Sequence, residues 1–332
     1  MNFSDLVRPE LIEVENCIYS MIPKEPSEVY GLLPGFIQRG GKRIRPLLTL
    51  LSSMAVGGNQ KKAIKTAALI ELFHNFTLIH DDIEDNSQMR RGEPTLNVKY
   101  GIPIALNSGD ALYTILWKEA AYLDEPPEKV IEIQKMLYSA FLRVVEGQGI
   151  ELNWYKTGKI DVGEEEYYTM VGGKTGALVA VSCEMGAYLG GADKKTREKF
   201  YEFGYNIGVA FQIQDDVLNV TGEFEKYKKE IGGDIREGKR TLMVAKAFEK
   251  ANSGEKAEIK RILLSNAATQ KEISYITSIF NKYGAIDYAK EKAREKVETA
   301  KAILISMRES IRDSKAKDAL METADFVLNR EV

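Results

Sequence analysis

TAALIELFHNFTLIHDDIED, residues 66–85, joins an apolar helical pattern to a cluster of acids. Leu69, Leu72, Phe76 and Ile79 recur at three- and four-residue spacing, the period of one helix face. The run then ends in Asp81, Asp82, Glu84 and Asp85. Like charges at i and i+4 of a helix repel by a few tenths of a kcal/mol. Asp81 and Asp85 therefore cost stability at this helix end unless a cation bridges them. The stretch predicts a helical fold that delivers a cation site at a helix tip.

The same three- and four-residue periodicity extends over most of the 332 residues, and alternating β-branched runs are scarce. Helices are expected over roughly 43–56, 104–122, 128–150, 164–189, 195–220, 239–250, 256–265, 270–282, 284–304 and 307–328, separated by turn-forming clusters such as VGGNQ (56–60), DEPPE (124–128) and LGGAD (189–193). None of these clusters is long enough for an interdomain linker, and no internal repeat is present. The expectation is one all-α domain over 1–332, a single large helical bundle whose site lies in a central cavity between facing helices.

Composition narrows the function. Hydrophobic residues at 44% and charged residues at 29% give a globular chain with material for a large core. A formal charge of −3 argues against nucleic acid as the main partner. Cys17 and Cys183 have no ligand spacing, so neither a disulfide framework nor a zinc site is expected, and a cytoplasmic setting fits. The N-terminal stretch lacks a signal-peptide pattern, and no window is apolar enough for a membrane span.

A second acidic cluster, FQIQDDVLN (211–219), again places paired aspartates, Asp215 and Asp216, at the end of an apolar helix. Two such ends offer hard oxygen ligands without histidine or thiolate. That donor type suits Mg²⁺, which takes one or two carboxylates and fills its other positions with water and substrate phosphate. Basic residues accompany the acids: Lys42, Arg43 and Arg45 in RGGKRIRP (39–46), Arg90 and Arg91, Lys174 in GGKTG (172–176), and Lys228, Lys229, Lys239 and Arg240 in YKKEIGGDIREGKRT (227–241). Clustered carboxylates and guanidinium groups are what metal-bridged phosphate recognition requires. GGKTG is not a nucleotide-binding loop, because that motif needs glycine where Tyr168 stands and a preceding strand.

DDIED and DDVLN, with GGKRIRP upstream, RRG after the first and GGKTG between them, resemble the trans-isoprenyl diphosphate synthases of the polyprenyl synthetase family. The motifs occur in the family's order from Gly40 to about Thr241. The resemblance implies an all-α homodimer that joins isopentenyl diphosphate to allylic diphosphates using Mg²⁺, with three ions when substrate is bound. It assigns Asp81, Asp85 and Asp215 to the metal. Arg90, Lys174, Thr175, Gln212, Lys229 and Lys239 go to the allylic diphosphate. Lys42, Arg45, His74 and Arg91 go to isopentenyl diphosphate. Lys174, Thr175 and Gln212 carry the catalytic assignment, the oxygens of Thr175 and Gln212 lying near the breaking bond.

The chemistry this implies is ionisation of the allylic C–O bond, with charge developing on the diphosphate stabilised by cations, and capture of the cation by the isopentenyl double bond. Phe76, five residues before Asp81, and Phe73 become the floor of the product tunnel. With Thr77 at the fourth position, the pattern resembles the archaeal type associated with a geranylgeranyl product; farnesyl and longer products are the alternatives. A class I terpene cyclase would share the fold but has no use for a second diphosphate pocket. A non-catalytic synthase subunit tends to lack one acidic cluster. Three departures from the family pattern stand out: Asn219 where aspartate is common, Glu151 where aspartate is frequent, and Lys228 where glycine is common before Lys229.

Overall fold

The computed structural model describes residues 3–222 and 231–329. Lys228 and Lys229, the latter assigned to the allylic diphosphate, lie outside the described residues. The longer helices are α1 (Arg8–Met21), α2 (Ile44–Ala55), α3 (Gln60–Glu84), α4 (Ile102–Ala121), α5 (Pro127–Thr157), α6 (Glu164–Val171), α7 (Ala177–Leu189), α8 (Lys194–Thr221), α9 (Leu242–Lys250), α10 (Ser253–Leu264), α11 (Gln270–Lys282), α12 (Ala285–Ser306) and α13 (Ser314–Leu328). The sheet among the described residues is one antiparallel ribbon, β1 (Met89–Arg90) and β2 (Glu93–Pro94), with Met89 opposite Pro94 and Arg90 opposite Glu93. The fold is all-α, as expected.

Several boundaries differ from the periodicity for local reasons. The helix expected from 307 begins at Ser314, because Asp313 Oδ1 accepts the N–H groups of Lys315 and Ala316 at 2.8 and 3.1 Å and so caps α13. The helix expected from 239 begins at Leu242, where the Thr241 side chain accepts the Val244 N–H. The expected helix 164–189 is interrupted by one π turn, Gly172–Gly176. α5 runs on to Thr157, and α1, which the periodicity did not mark, is present.

By internal packing the chain divides into two compact units. One comprises Met1–Ser139, Leu178–Gly204 and Ile303–Thr323; the other comprises Ala140–Ala177, Tyr205–Ala302 and Ala324–Val332. Each unit draws on three separate stretches, which is why no linker marks a boundary in the sequence.

In the first unit α3 packs against α1, α2 and α4. Ala67, Leu69, Ile70, Leu72, Phe73, Phe76 and Ile79 are all buried, so α3 is apolar on more faces than the single expected stripe and takes a central position. Its start is set by Asn59, whose side chain accepts the Lys61 N–H at 3.0 Å. The second unit closes over a core that includes Trp154, Tyr167, Met170, Ile213, Val217, Ile262, Phe280 and Ala293. Among the described residues no helix is long and apolar enough to cross a membrane.

Candidate active site

The acidic tip of α3 is held by the arginine that follows it. The β1–β2 ribbon turns the chain back so that Arg90 Nε and Nη2 donate to Asp82 Oδ1 at 2.8 and 2.6 Å, and Nη2 lies 3.4 Å from Asp81 Oδ2. Asp82 is almost completely buried. Burial raises its carboxyl pKa and Arg90 opposes that shift, so the pair holds a carboxylate inside the protein. Asp81 and Asp85 are only partly covered. Arg90 therefore has a structural partner in Asp82, a residue for which the motif reading had no separate role.

A second cluster lies on α3 one to three turns earlier. Glu71 is 2% exposed, and its Oε1 accepts from Arg43 Nη1 at 2.6 Å and from Asn75 Nδ2 at 3.2 Å. Arg43 also donates to Glu15 at 3.1 Å and to the Ile37 carbonyl at 3.1 Å, from a left-handed backbone (φ 48°) that opens α2. Around this carboxylate the positive charge is in excess. Burial pushes the Arg45 guanidinium down to about 10 against the pull of Glu71, and Arg91 lowers it further. Burial likewise lowers Arg91, with Arg43 and Arg90 adding to the effect. Arg45 Nε is buried with no hydrogen-bond partner among the described residues.

His74, about two turns before Asp81 on α3, lies within this field. Burial and then Arg45, Arg91, Arg90 and Arg43 hold its imidazole well below its usual range, so it is neutral near pH 7. The double glycine of RGGKRIRP also acquires a reason. Gly41 has φ +143°, and a side chain there would strike Arg91 Nη2 at 2.8 Å, so the guanidinium of one motif lies against the bare backbone of another. The structure thus brings together Arg45, His74 and Arg91, with Glu71 and Arg43 beside them. Lys42 is exposed beside them.

Toward the N-terminal side of the acidic tip, Phe73 and Phe76 stack with ring centroids 5.2 Å apart. Phe76 also meets His80 and Tyr113 edge-on at 5.9 and 5.4 Å.

The second unit carries the GGKTG segment. The π turn approaches α5 glycine to glycine: a side chain at Gly147 would fall 2.3 Å from the Lys174 backbone nitrogen, and one at Gly173 would fall 2.7 Å from the Arg143 carbonyl. π turns concentrate at functional sites because they re-aim side chains without ending the helix. Here Lys174 Nζ donates to Glu151 Oε2 at 2.5 Å, and Glu151 is buried. Glu151, noted above as one methylene longer than the frequent aspartate, reaches the lysine directly. Thr175 Oγ1 donates to Gln212 Oε1 at 3.0 Å, so these two predicted residues meet.

On α8 Asp215 is partly exposed, whereas Asp216 is buried and accepts hydrogen bonds from Gln212 Nε2 at 2.8 Å and Tyr167 OH at 2.9 Å. Asn219 Oδ1 accepts the Asp234 N–H at 3.0 Å, tying the end of α8 to the turn beginning at Gly232. Lys239 pairs with Asp234 at 3.3 Å and Glu237 at 3.1 Å. Its neighbour Arg240 is buried: it donates to the Lys159 carbonyl at 2.9 Å and sits over the Tyr155 ring at 4.6 Å.

Among the described residues no group of three or more His, Cys, Asp or Glu is placed to hold a metal ion by itself. The donors at Asp81, Asp82, Asp85 and Asp215 are carboxylates, and Asp82 Oδ2 is buried with no hydrogen-bond partner among the described residues. The carboxylates at the α3 tip and, separately, Asp215 on α8 are of the donor type suited to a hard divalent cation that takes most of its ligands from water and substrate.

The polyprenyl synthetase family model matches residues 27–280. A geranylgeranyl pyrophosphate synthase of Geoglobus acetivorans is 38% identical over 308 residues, 93% of this chain and 92% of that protein. A short chain isoprenyl diphosphate synthase of Methanothermobacter thermautotrophicus is 41% identical over 295 residues, 89% and 88% of the two chains. The crystal structure of a geranylgeranyl pyrophosphate synthetase from Pyrococcus horikoshii superposes with a TM-score of 0.91 at 35% identity, covering 99% of this chain and 98% of that one. With its motifs on helix ends and turns as described, and with this breadth of likeness, the chain belongs to the polyprenyl synthetase family.

Proposed function

We propose that this protein is a magnesium-dependent prenyltransferase that condenses isopentenyl diphosphate head to tail with dimethylallyl, geranyl and farnesyl diphosphates and ends at geranylgeranyl diphosphate. The observation that carries the reading is the surplus of guanidinium charge around neutral His74, on the same helix that ends in Asp81 and Asp85. Arg45 and Arg91 repel each other while sharing the field of Glu71, and a bound diphosphate relieves that repulsion through charge-assisted hydrogen bonds. A metal-free anion site beside a carboxylate cluster is the requirement of an enzyme with two diphosphate substrates. The names of the two relatives support the product class.

In this reading Lys42, Arg45, Arg91 and His74 grip isopentenyl diphosphate. Asp81, Asp85 and Asp215 would hold Mg²⁺, three ions with substrate bound, and the ions when present supply positive charge to the departing diphosphate. Arg90, Lys174, Lys229 and Lys239 add charge to the same group, Glu151 fixing the direction of Lys174. Thr175 and Gln212 turn oxygens toward the allyl cation, their dipoles favouring the positive charge while neither is a strong nucleophile. Phe73 and Phe76 face the growing chain and help to exclude water. Released diphosphate accepts the proton that leaves the condensed product, so no dedicated base is required. The enzyme acts as a homodimer: α4 exposes Ile102, Ile104 and Leu106, and a second copy would bury them. Free Cys17 and Cys183 are consistent with a cytoplasmic setting.

The test is to mix the purified full chain with Mg²⁺, dimethylallyl diphosphate and labelled isopentenyl diphosphate, and to size the dephosphorylated products. Twenty-carbon product is expected. Release of a cyclic hydrocarbon from geranyl or farnesyl diphosphate without consumption of isopentenyl diphosphate would point instead to a cyclase. No turnover by the chain alone would point to a subunit that needs a partner.

A further inference from the structure

We infer that Tyr167 and Asp216 are positioning residues that fix which end of the Gln212 amide faces Thr175, and that turnover depends on this orientation. The inference rests on the prenyl-transfer reading above and concerns residues to which that reading gives no role.

The connection is a continuous relay within the second unit. Tyr167 OH, from α6, donates to Asp216 Oδ2 at 2.9 Å. Asp216 Oδ1 accepts from Gln212 Nε2, one turn earlier on α8, at 2.8 Å. Gln212 Oε1 in turn accepts from Thr175 Oγ1, in the π turn, at 3.0 Å. Tyr167 is 1% and Asp216 6% exposed, so water does not readily replace these bonds.

The direction of the relay follows from donor chemistry. A carboxamide presents an acceptor at one end and two donors at the other, and the two ends are nearly equal in shape. The Thr175 hydroxyl can donate or accept, so it does not choose between them. Burial raises the Asp216 carboxyl, and with the Tyr167 hydroxyl at Oδ2 an acid proton has its place on that oxygen, so Oδ1 accepts in either state and takes the NH₂ end rather than the carbonyl end. Asp216 thereby commits the Gln212 oxygen to the Thr175 side, where a negative dipole end favours a developing allyl cation. The flipped amide would place NH₂ there and oppose that charge. Tyr167 completes the arrangement by occupying the other carboxylate oxygen, which stops Asp216 from rotating to share Oδ1 and Oδ2 with Gln212. A buried tyrosine whose hydroxyl faced only apolar atoms would be core packing; this one donates to a buried carboxyl group 49 positions away in sequence.

The decisive variant is Tyr167→Phe in the full-length enzyme, which keeps the ring in the core and alters none of the residues assigned above to metal or substrate. Wild-type turnover is measured first, and its absence would remove the prenyl-transfer reading itself. Given that turnover, Tyr167→Phe is expected to lower kcat about tenfold, the scale of leaving one buried polar group without its partner. The KM values for both diphosphates and the Mg²⁺ half-saturation should stay within roughly threefold of wild type, because binding groups are untouched. Should Tyr167→Phe fail to fold by circular dichroism, Asp216→Asn, which is isosteric but can donate to the Gln212 oxygen, is read in the same way. A kcat loss smaller than roughly threefold overturns the inference. So does a larger shift in either KM or in the Mg²⁺ requirement, which would place the effect on substrate or on the Asp215 metal site.

Discussion

Replacing Phe76 by alanine should lengthen the product by one five-carbon unit. Phe76 is buried, stacks on Phe73 at 5.2 Å, and meets His80 and Tyr113 at 5.9 and 5.4 Å. At ~1.5 Å of rise per residue it lies roughly 7.5 Å along α3 from Asp81, and Phe73 lies roughly 12 Å along. Removing the first ring therefore opens about 4.5 Å before the second is met. A prenyl unit adds four main-chain bonds of about 1.5 Å, which span roughly 5 Å as a zigzag. One further condensation fits and a second does not, so Phe76→Ala should shift the main product from twenty to about twenty-five carbons. Adding Phe73→Ala should carry it further. The stability cost should not exceed the ~3–5 kcal/mol typical of a buried Phe→Ala change, which includes the loss of the aromatic contacts. The assay is chromatography of dephosphorylated products after incubation with labelled isopentenyl diphosphate, with circular dichroism to establish folding. A folded, active Phe76→Ala enzyme with the wild-type product distribution would refute this geometry.

Asp81→Ala should lower turnover by orders of magnitude at saturating Mg²⁺ with little change in melting temperature, since Asp81 contacts Arg90 only at 3.4 Å and its repulsion of Asp85 is relieved; retention of most of the turnover would remove it from the metal site. Arg91→Ala should chiefly raise the KM for isopentenyl diphosphate, whereas Arg90→Ala should impair the allylic step and also cost about 3 kcal/mol by stranding buried Asp82, so identical kinetic and denaturation profiles would contradict the division. His74 has a folded-state pKa far below the 6.5 of its ordinary environment, so below about pH 6.5 the unfolded chain binds a proton that the folded chain refuses. Stability of the ligand-free protein should fall as pH drops through that window, by up to about 1.4 kcal/mol per pH unit, and His74→Gln should flatten this limb. Denaturant titrations between pH 5 and 7.5 that show equal slopes for both proteins would exclude the mechanism.

Legibility in the sequence followed the range of the interactions involved. The helix 66–85 and its acidic tip were readable because periodicity and like-charge crowding are local, and Asp81, Asp85 and Arg90 fall at that tip. Arg45, Arg91 and His74 were grouped through the motif order, and the structure brings them into one field. Glu71 was silent, since an acid within an apolar run reads as a solvent-facing charge; its partner Arg43 lies 28 residues away. Tyr167 was silent for the same reason, its partner being 49 residues distant. Arg240 read as one more surface charge in a basic stretch, yet backbone carbonyls and the Tyr155 ring enclose it. The π turn was invisible because GGKTG fits a helix of either pitch; only the close approach of Gly147 selects the wider one.

That wider turn has a consequence for how the segment can vary. A π turn accommodates one residue more than the surrounding α-helix would, so every position beyond Gly176 is rotated by about 100° from where an uninterrupted helix would put it. Substitutions within Gly172–Gly176 change one contact at a time. Loss of a single residue would instead let the helix close into regular pitch and swing Ala177–Leu189 as a block, turning Val179, Val181, Cys183 and Met185 off their packed faces. Length in this motif is therefore under stricter constraint than chemistry, and an insertion or deletion there should be less well tolerated than any one exchange of side chain.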